Sequence, residues 1–171
     1  MNLRPLLAAL AALIALAAAP LAAQAPLDRD GQVAFFGITF LDTSTEGDYF
    51  GARADEQARV VLLEDEVRVR FGTEGLALMD NAPVAEDLAR IKNPANYYGC
   101  ELRIADKLGA DYVLVGEVQK VSNLILSMNL VMRDVETGAM VRGMSVDIRS
   151  NTDDSWLRGM RYILKNNFFK E

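Results

Sequence analysis

From Leu124 to Arg133 the chain alternates. Leu124, Leu126, Met128, Leu130 and Met132 share one parity, and Ile125, Ser127, Asn129, Val131 and Arg133 take the other. Side chains of a strand point to opposite faces in turn, so this period of two predicts a strand with one buried face. Thr137-Gly138 supplies a turn signal. Beyond it Met140, Met144, Val146 and Ile148 are expected on one face of the next strand, broken only by Arg142. Before it, Tyr112 to Val118 is apolar at successive positions, as a strand covered on both faces must be. The second half of the chain therefore reads as an antiparallel meander.

The first half has a different rhythm. Val33 to Leu41 is a short apolar, β-branched and aromatic run, read as a buried strand. Asp42 to Gly51 is polar and reads as a loop. Ala54 to Phe71 places Val60, Leu63, Val67 and Phe71 at spacings of three and four, the stripe of an amphipathic helix, and Gly72 and Gly75 end it. Leu76 to Met79 is a second short strand. Residues 80–99 form a long loop with one helical turn near Ala85 to Ile91. Cys100 to Leu108 is a helix stopped by Gly109. After the meander, Asn151 to Ser155 is rich in capping residues. Trp156, Met160, Ile163 and Leu164 then carry a last amphipathic helix to about Phe168. The order is β-α-β-α-β-β-β-α. It predicts an α/β fold in which one mixed five-stranded sheet, parallel in its first half, carries helices packed on it as a single domain.

The amino terminus predicts export. Arg4 precedes Leu6 to Ala19, an uncharged run too short for the ~20 residues that span a bilayer and suited to the apolar core of a signal peptide. Pro20 breaks it and small residues follow. Cleavage is expected after Ala23, since cleavage after Ala25 would put Pro26 just past the cut. Residues 1–23 are thus read as a signal peptide and residues 24–171 as the domain, released into the periplasm without stable membrane insertion. No cysteine lies near the cut to take a lipid. Losing Arg4 moves the formal charge one unit below −6, so an acidic domain has no electrostatic reason to hold nucleic acid. A single cysteine cannot form an internal disulfide, and the fold must rest on its apolar core.

Three segments together resemble a known superfamily. They are the opening strand Val33 to Gly37, the stretch Ala105 to Gly116 with its Leu-Gly-Ala-Asp turn into a strand, and the hairpin Val131 to Gly138. In this order they resemble the amino-terminal domain of TolB and the α/β domain of CsgG-like envelope proteins. The stretch Val118 to Leu126 is also similar to exported proteobacterial proteins of the domain-of-unknown-function kind. The resemblance spans nearly all of the expected mature chain on short motifs. It implies a periplasmic module that binds other envelope proteins, without catalysis. Within residues 1–171 the resemblance extends neither to the β-propeller of TolB nor to the pore-forming segment of CsgG, and roles carried by those parts are not expected from it.

The chemistry available is narrow. The chain has no histidine, which removes most zinc sites, Ser-His-Asp triads and Cys-His dyads. No glycine-rich phosphate loop can be read. Glu64, Asp65 and Glu66 are consecutive on a helix and do not converge. Asp153 and Asp154 suit a helix start. Cys100 opens a helix, where it is either a reactive thiol or a small packed side chain. The thioethers of Met128, Met132, Met140 and Met144 are soft ligands for Cu(I), but a methionine stripe alternating with leucine is the pattern of core packing, and all four are expected to be buried. Arg158, Arg161 and Lys165 form a basic stripe on the last helix, either a partner surface or a solvated face. Tyr49, Phe50, Tyr97 and Tyr98 fall in expected loops, where aromatics mark contact surfaces or pin the loop down. Trp156 is expected to anchor the last helix.

These readings describe a non-enzymatic interaction module of the periplasm, an accessory or assembly factor for a cell-envelope protein complex, requiring no cofactor. The alternative is a small-ligand or metal-binding accessory protein. The residues expected at a partner surface are Arg158, Arg161, Lys165, Tyr97 and Tyr98, with Cys100 as the one thiol.

Overall fold

A computed structural model of the chain describes residues 27–96 and 99–170. The expected signal peptide and cleavage point lie outside the described residues. Strand β1 (Gln32–Asp42) leads through a short helix α1 (Thr45–Phe50) into the long helix α2 (Ala54–Thr73) and the two-residue strand β2 (Ala77–Leu78). A helical turn α3 (Ala85–Ala89) and helix α4 (Cys100–Leu108) follow. The meander is β3 (Tyr112–Ser122), β4 (Ile125–Asp134) and β5 (Met140–Ile148), and helix α5 (Asp153–Ile163) runs on into a π-helical turn, Leu164–Phe168. One five-stranded mixed sheet results, in the order β2-β1-β3-β4-β5. β1 is parallel to β2 and β3, while β3, β4 and β5 are antiparallel neighbours.

The order explains why both faces are covered near β1. The chain steps from β1 out to β2, then back across β1 to β3. Two crossovers of one hand in opposite directions must place their helices on opposite faces. α2 accordingly packs on one face with α5 and the π turn, where Val60, Leu63, Val67 and Phe71 meet Leu126, Met128, Leu130, Met132, Trp156 and Met160. α4 covers the other face, where Ile104 and Ala105 meet Ala34, Phe36, Val113 and Val115. The apolar run at β1 is thus buried on two sides, as its composition required.

A bulge in β1 sets which side chain faces which helix. The β1–β3 register shifts between Phe35 and Ile38. Gly37 sits there at φ +83°, and a Cβ on it would meet Glu64 Oε1 at 2.7 Å. Glu64 uses that oxygen to accept the Ile38 amide at 3.0 Å. The side chain of α2 thereby occupies the space that glycine leaves and satisfies the amide the bulge frees.

Two expectations are corrected. The stretch 42–51 is not all loop: Ser44 caps α1 by accepting the Gly47 amide at 3.1 Å. No residue of α1 is buried, so the helix has no apolar stripe by which a sequence could reveal it. The four strand methionines are not all buried either. Met128 and Met132 are fully buried and Met144 is partly so, but Met140 is 60% exposed. The cause is a second register shift. Met132 pairs with Arg142, yet Arg133 pairs with Met140. The extra residue, Val141, turns Met140 to the other face of the sheet, where it lies across Gly143, whereas Arg142 stays in phase with Met144, Val146 and Ile148 on the buried face. The four thioethers therefore do not converge.

Candidate functional site

The carboxyl ends of β1 and β3 lie side by side, and the helices that follow and precede them cover opposite faces. In open α/β sheets such a switch point is where a crevice forms. Here it holds a buried charge cluster. Lys120, on β3, is 1% exposed. Its Nζ lies 2.8 Å from Glu56 Oε1, 3.2 Å from Asp42 Oδ2 and 3.8 Å from Glu46 Oε2. Glu56, in the first turn of α2, is fully buried. Its Oε1 also accepts Asn151 Nδ2 at 2.7 Å. Asn151 in turn accepts the Trp156 indole N–H at 3.0 Å. One chain of bonds so joins β3, α2, the β5–α5 link and α5. Glu56 Oε2 has no hydrogen-bond partner among the described residues.

The acids around Lys120 keep it charged. Burial pulls its pKa down, and the bonds from Glu56 and Asp42 outweigh that, so the value lies above 10.5. An ammonium at neutral pH has no lone pair for attack on a carbonyl, so this lysine is held as a cation rather than a nucleophile. Asp42 is shifted the other way. Burial pushes its carboxyl up, but the hydroxyl and amide of Ser44, and then Lys120, hold it below 3.8. Ser44 bonds Asp42 Oδ1 through its amide at 2.9 Å and its hydroxyl at 2.5 Å. The same serine caps α1, so the charge cluster fixes the helix above it. Asp42, Glu46, Phe50, Arg53, Lys120 and Asn123 border a crevice of about 160 Å³, well below the ~300 Å³ at which small-molecule pockets begin.

Exposed apolar side chains surround this end of the sheet. Tyr49 and Phe50, on α1, are each 80% exposed. Leu124, in the turn after β3, is 69% exposed, and Leu41, Val121 and Ile125 are exposed at the adjoining strand ends. Phe50 and Asn123 border the same crevice, so α1 and the β3–β4 turn are neighbours.

The residues singled out in the sequence are dispersed. Arg158 lines a cleft of about 410 Å³ between α5 and β5. Arg161 is bonded to Glu66 of α2 at 2.8 Å, and Lys165 is exposed on the π turn. Cys100 is partly buried at the start of α4, on the far side of the sheet, where Arg103 Nη2 reaches its Sγ at 2.7 Å. Tyr97 and Tyr98 lie outside the described residues. Asp153 and Asp154 sit in the first turn of α5, behind the cap Thr152; Asp153 also bonds Arg59 at 2.8 Å. The basic stripe and Cys100 thus belong to different faces and form no common site.

Because both partners of the Arg161–Glu66 pair touch solvent, the pair is weak. Replacing Arg161 with alanine is expected to leave the urea midpoint within the scatter of the wild type. A clear drop would show that α2 and α5 depend on this bridge.

The charge cluster was within reach of the sequence. Glu56 stands four residues before Val60, on the α2 stripe that continues through Leu63 and Val67. Lys120 shares the parity of Val118 on β3. A charge in phase with a buried stripe must find a partner, and two such charges of opposite sign are each other's natural partners.

Among the described residues, no helix is long and apolar enough to cross a membrane, and no three His, Cys, Asp or Glu side chains are placed to hold a metal ion. No curated protein matches the chain. Solved structures with a similar arrangement are of low identity. The LpoB C-terminal domain from Salmonella enterica has a TM-score of 0.49 at 13% identity, covering 70% of this chain and 83% of that one. The PelC dodecamer subunit from Paraburkholderia phytofirmans scores 0.48 at 14% identity, over 83% and 92%. TolB from Acinetobacter baumannii scores 0.44 at 11% identity, over 84% of this chain and 30% of that one. One family model, DUF3280, described as "Protein of unknown function (DUF2380)", matches residues 31–168. That span runs from the residue before β1 to the end of the π turn, and the chain belongs to this family.

Proposed function

We propose that the protein is an exported interaction module of the cell envelope, accessory to a protein complex, and that it meets its partner with the sheet end formed by α1 and the β3–β4 turn. The observation that carries this reading is the exposure of Tyr49 and Phe50, each 80%, on a base locked by the Lys120 cluster, with Phe50 bordering the same crevice as Asn123 of the turn that holds the exposed Leu124. Clustered exposed apolar groups favour association, since contact removes their surface from water. Aromatics supply the largest such area per side chain and commonly dominate interface energies. The base matters as much. α1 is too short to hold itself, and its cap shares Ser44 with the buried charges, so little ordering is left to be done on binding. The expected signal peptide and the resemblance to periplasmic modules support the envelope as the compartment.

The test is photo-crosslinking in living cells, with a benzophenone amino acid at position 50, 124 or 69. Val69 is also exposed but lies in the last turns of α2, toward the opposite end of the sheet. The same partner band is expected from positions 50 and 124 and not from 69. Tyr49→Ala should remove the band at position 124 while leaving the thermal midpoint unchanged. Crosslinks from position 69 alone would refute the assignment of this surface.

A further inference from the structure

β5 is the last strand of the sheet, so one side of its backbone has no strand beside it. The structure closes that side at both ends and leaves the middle open. At one end the Gly143 amide donates to Asn167 Oδ1 at 3.0 Å. The Gly143 amide therefore points outward, away from β4. In an antiparallel ladder outward and inward residues alternate, so Ser145 and Asp147 also point their amides and carbonyls outward. At the other end the Arg149 carbonyl accepts the Ser155 hydroxyl at 2.5 Å. Between these two clamps, the outward backbone groups of Ser145 and Asp147 have no hydrogen-bond partner among the described residues. The β4–β5 register is regular here, since the only shift lies between Met132 and Arg133.

The open window has a floor. Directly along it runs the cleft of about 410 Å³ between β5 and α5. Val146, Ile148, Gly159 and the half-exposed Tyr162 make it largely apolar, and Arg158 and Arg149 stand at its rim. Neither arginine forms an ion pair with any described residue, although the chain as a whole is acidic, at −6. The sequence showed Arg158 as part of a basic stripe, and the fold sets it apart from Arg161, which Glu66 neutralises.

We propose that this window binds a short extended segment of an acidic protein partner, added to the sheet as a sixth strand alongside β5. Its backbone pairs with Ser145 and Asp147. Residues directly opposite each other on adjacent strands share a face. The partner side chain opposite Val146 therefore enters the apolar cleft, and the side chain two positions away, on the same face, meets Arg158. The segment recognised is an alternating one, with an apolar residue and a carboxylate separated by one position. Backbone pairing supplies the hold and the cleft supplies the choice of side chain. The proposal is independent of the α1 surface, which lies on other residues.

The experiment is a selection of phage-displayed random decapeptides on the purified exported protein, repeated on Ser145→Pro and Arg158→Glu. Proline at 145 removes only an outward donor, so the internal ladder keeps its bonds. Enriched peptides are expected to carry the apolar-x-acidic pattern and to bind both variants at least tenfold more weakly. Amide exchange at Ser145 and Asp147 should slow on binding. If Ser145→Pro does not fold, Arg158→Glu and the exchange measurement still decide. The proposal is overturned if the enriched peptides bind the variants as well as the wild type, or if nothing is enriched above the level of the variants. It also fails if sedimentation shows a wild-type dimer that Ser145→Pro dissolves, because a second copy would then own the edge.

Discussion

Replacing Lys120 with methionine is expected to destabilise the fold by about 3–5 kcal/mol, the usual cost of stripping one partner from a buried ion pair. Methionine matches the length of the lysine stem, so packing is largely kept and the charge is the variable. In the wild type, Lys120 bonds Glu56 at 2.8 Å in a fully buried setting. Without it, Glu56 keeps only Asn151, and its Oε2 is already unpartnered among the described residues. The double variant Lys120→Met/Glu56→Gln should recover most of the loss, because glutamine is neutral and still offers an oxygen to Asn151. A pair removed whole costs far less than a pair broken. Urea melts followed by circular dichroism measure both.

The same cluster sets two slopes in the pH dependence of stability. Lys120 has a folded pKa raised above 10.5, so its contribution is complete below 10.5 and is lost as pH rises through the folded value. Asp42 has a folded pKa held below 3.8, so its contribution is complete above 3.8 and is lost as pH falls through the folded value. Melts of Lys120→Met should lack the alkaline slope due to Lys120. An unchanged slope in that variant would mean that Lys120 is solvated in solution.

Trp156→Ala should cost about 3–5 kcal/mol, the range for a large aromatic removed from a core, out of the ~5–15 kcal/mol that holds a domain together. Trp156 is fully buried, with its ring centroid 5.6 Å from that of Phe40. The space it vacates cannot readily close. α5 already touches β5 at Gly159, where even a Cβ would meet Ile148 at 2.7 Å. The helix cannot move inward, so the cavity term is felt in full. At an m-value of about 2 kcal/mol/M the urea midpoint falls by about 2 M. Circular dichroism must follow the transition, as Trp156 is the only tryptophan. An unshifted midpoint would contradict the buried anchor. The effects of the Trp156 and Lys120 changes should not add, because Asn151 bonds both the indole and Glu56.

The major elements were legible where burial imposes a period. Val60, Leu63, Val67 and Phe71 gave away α2, and the parity of residues 124–133 gave away β4. Cys100–Leu108 was bounded by its own glycine stop, and Gly109 takes φ 77° there. α1 was invisible because nothing in it is buried. Met140 was misplaced because period-two reasoning assumes an unbroken ladder, and one extra residue at Val141 reverses every face beyond it. The surface proposed for binding was only half legible: Tyr49 and Phe50 stood out as loop aromatics, but the approach of α1 to the β3–β4 turn did not.

By itself the sequence determined the class and the order of the major elements, one mixed sheet with helices on it, because hydrophobic period and turn chemistry are local properties. The phase of Glu56 and Lys120 marked two buried charges of opposite sign, but only the tertiary structure brought Asp42 and Asn151 to them. Asp42, Glu56, Lys120 and Asn151 lie on four separate stretches of chain. What unites them is the closure of β1 against β3 and of α2 against α5, which excludes water from the point where they meet. Once water is gone an ion pair is the sole means of keeping those charges. The open window on β5 has the same origin. Ser145 and Asp147 have nothing unusual in sequence, and their outward backbone groups lack a partner among the described residues because β5 is the last strand of the sheet, clamped at Gly143 and Arg149.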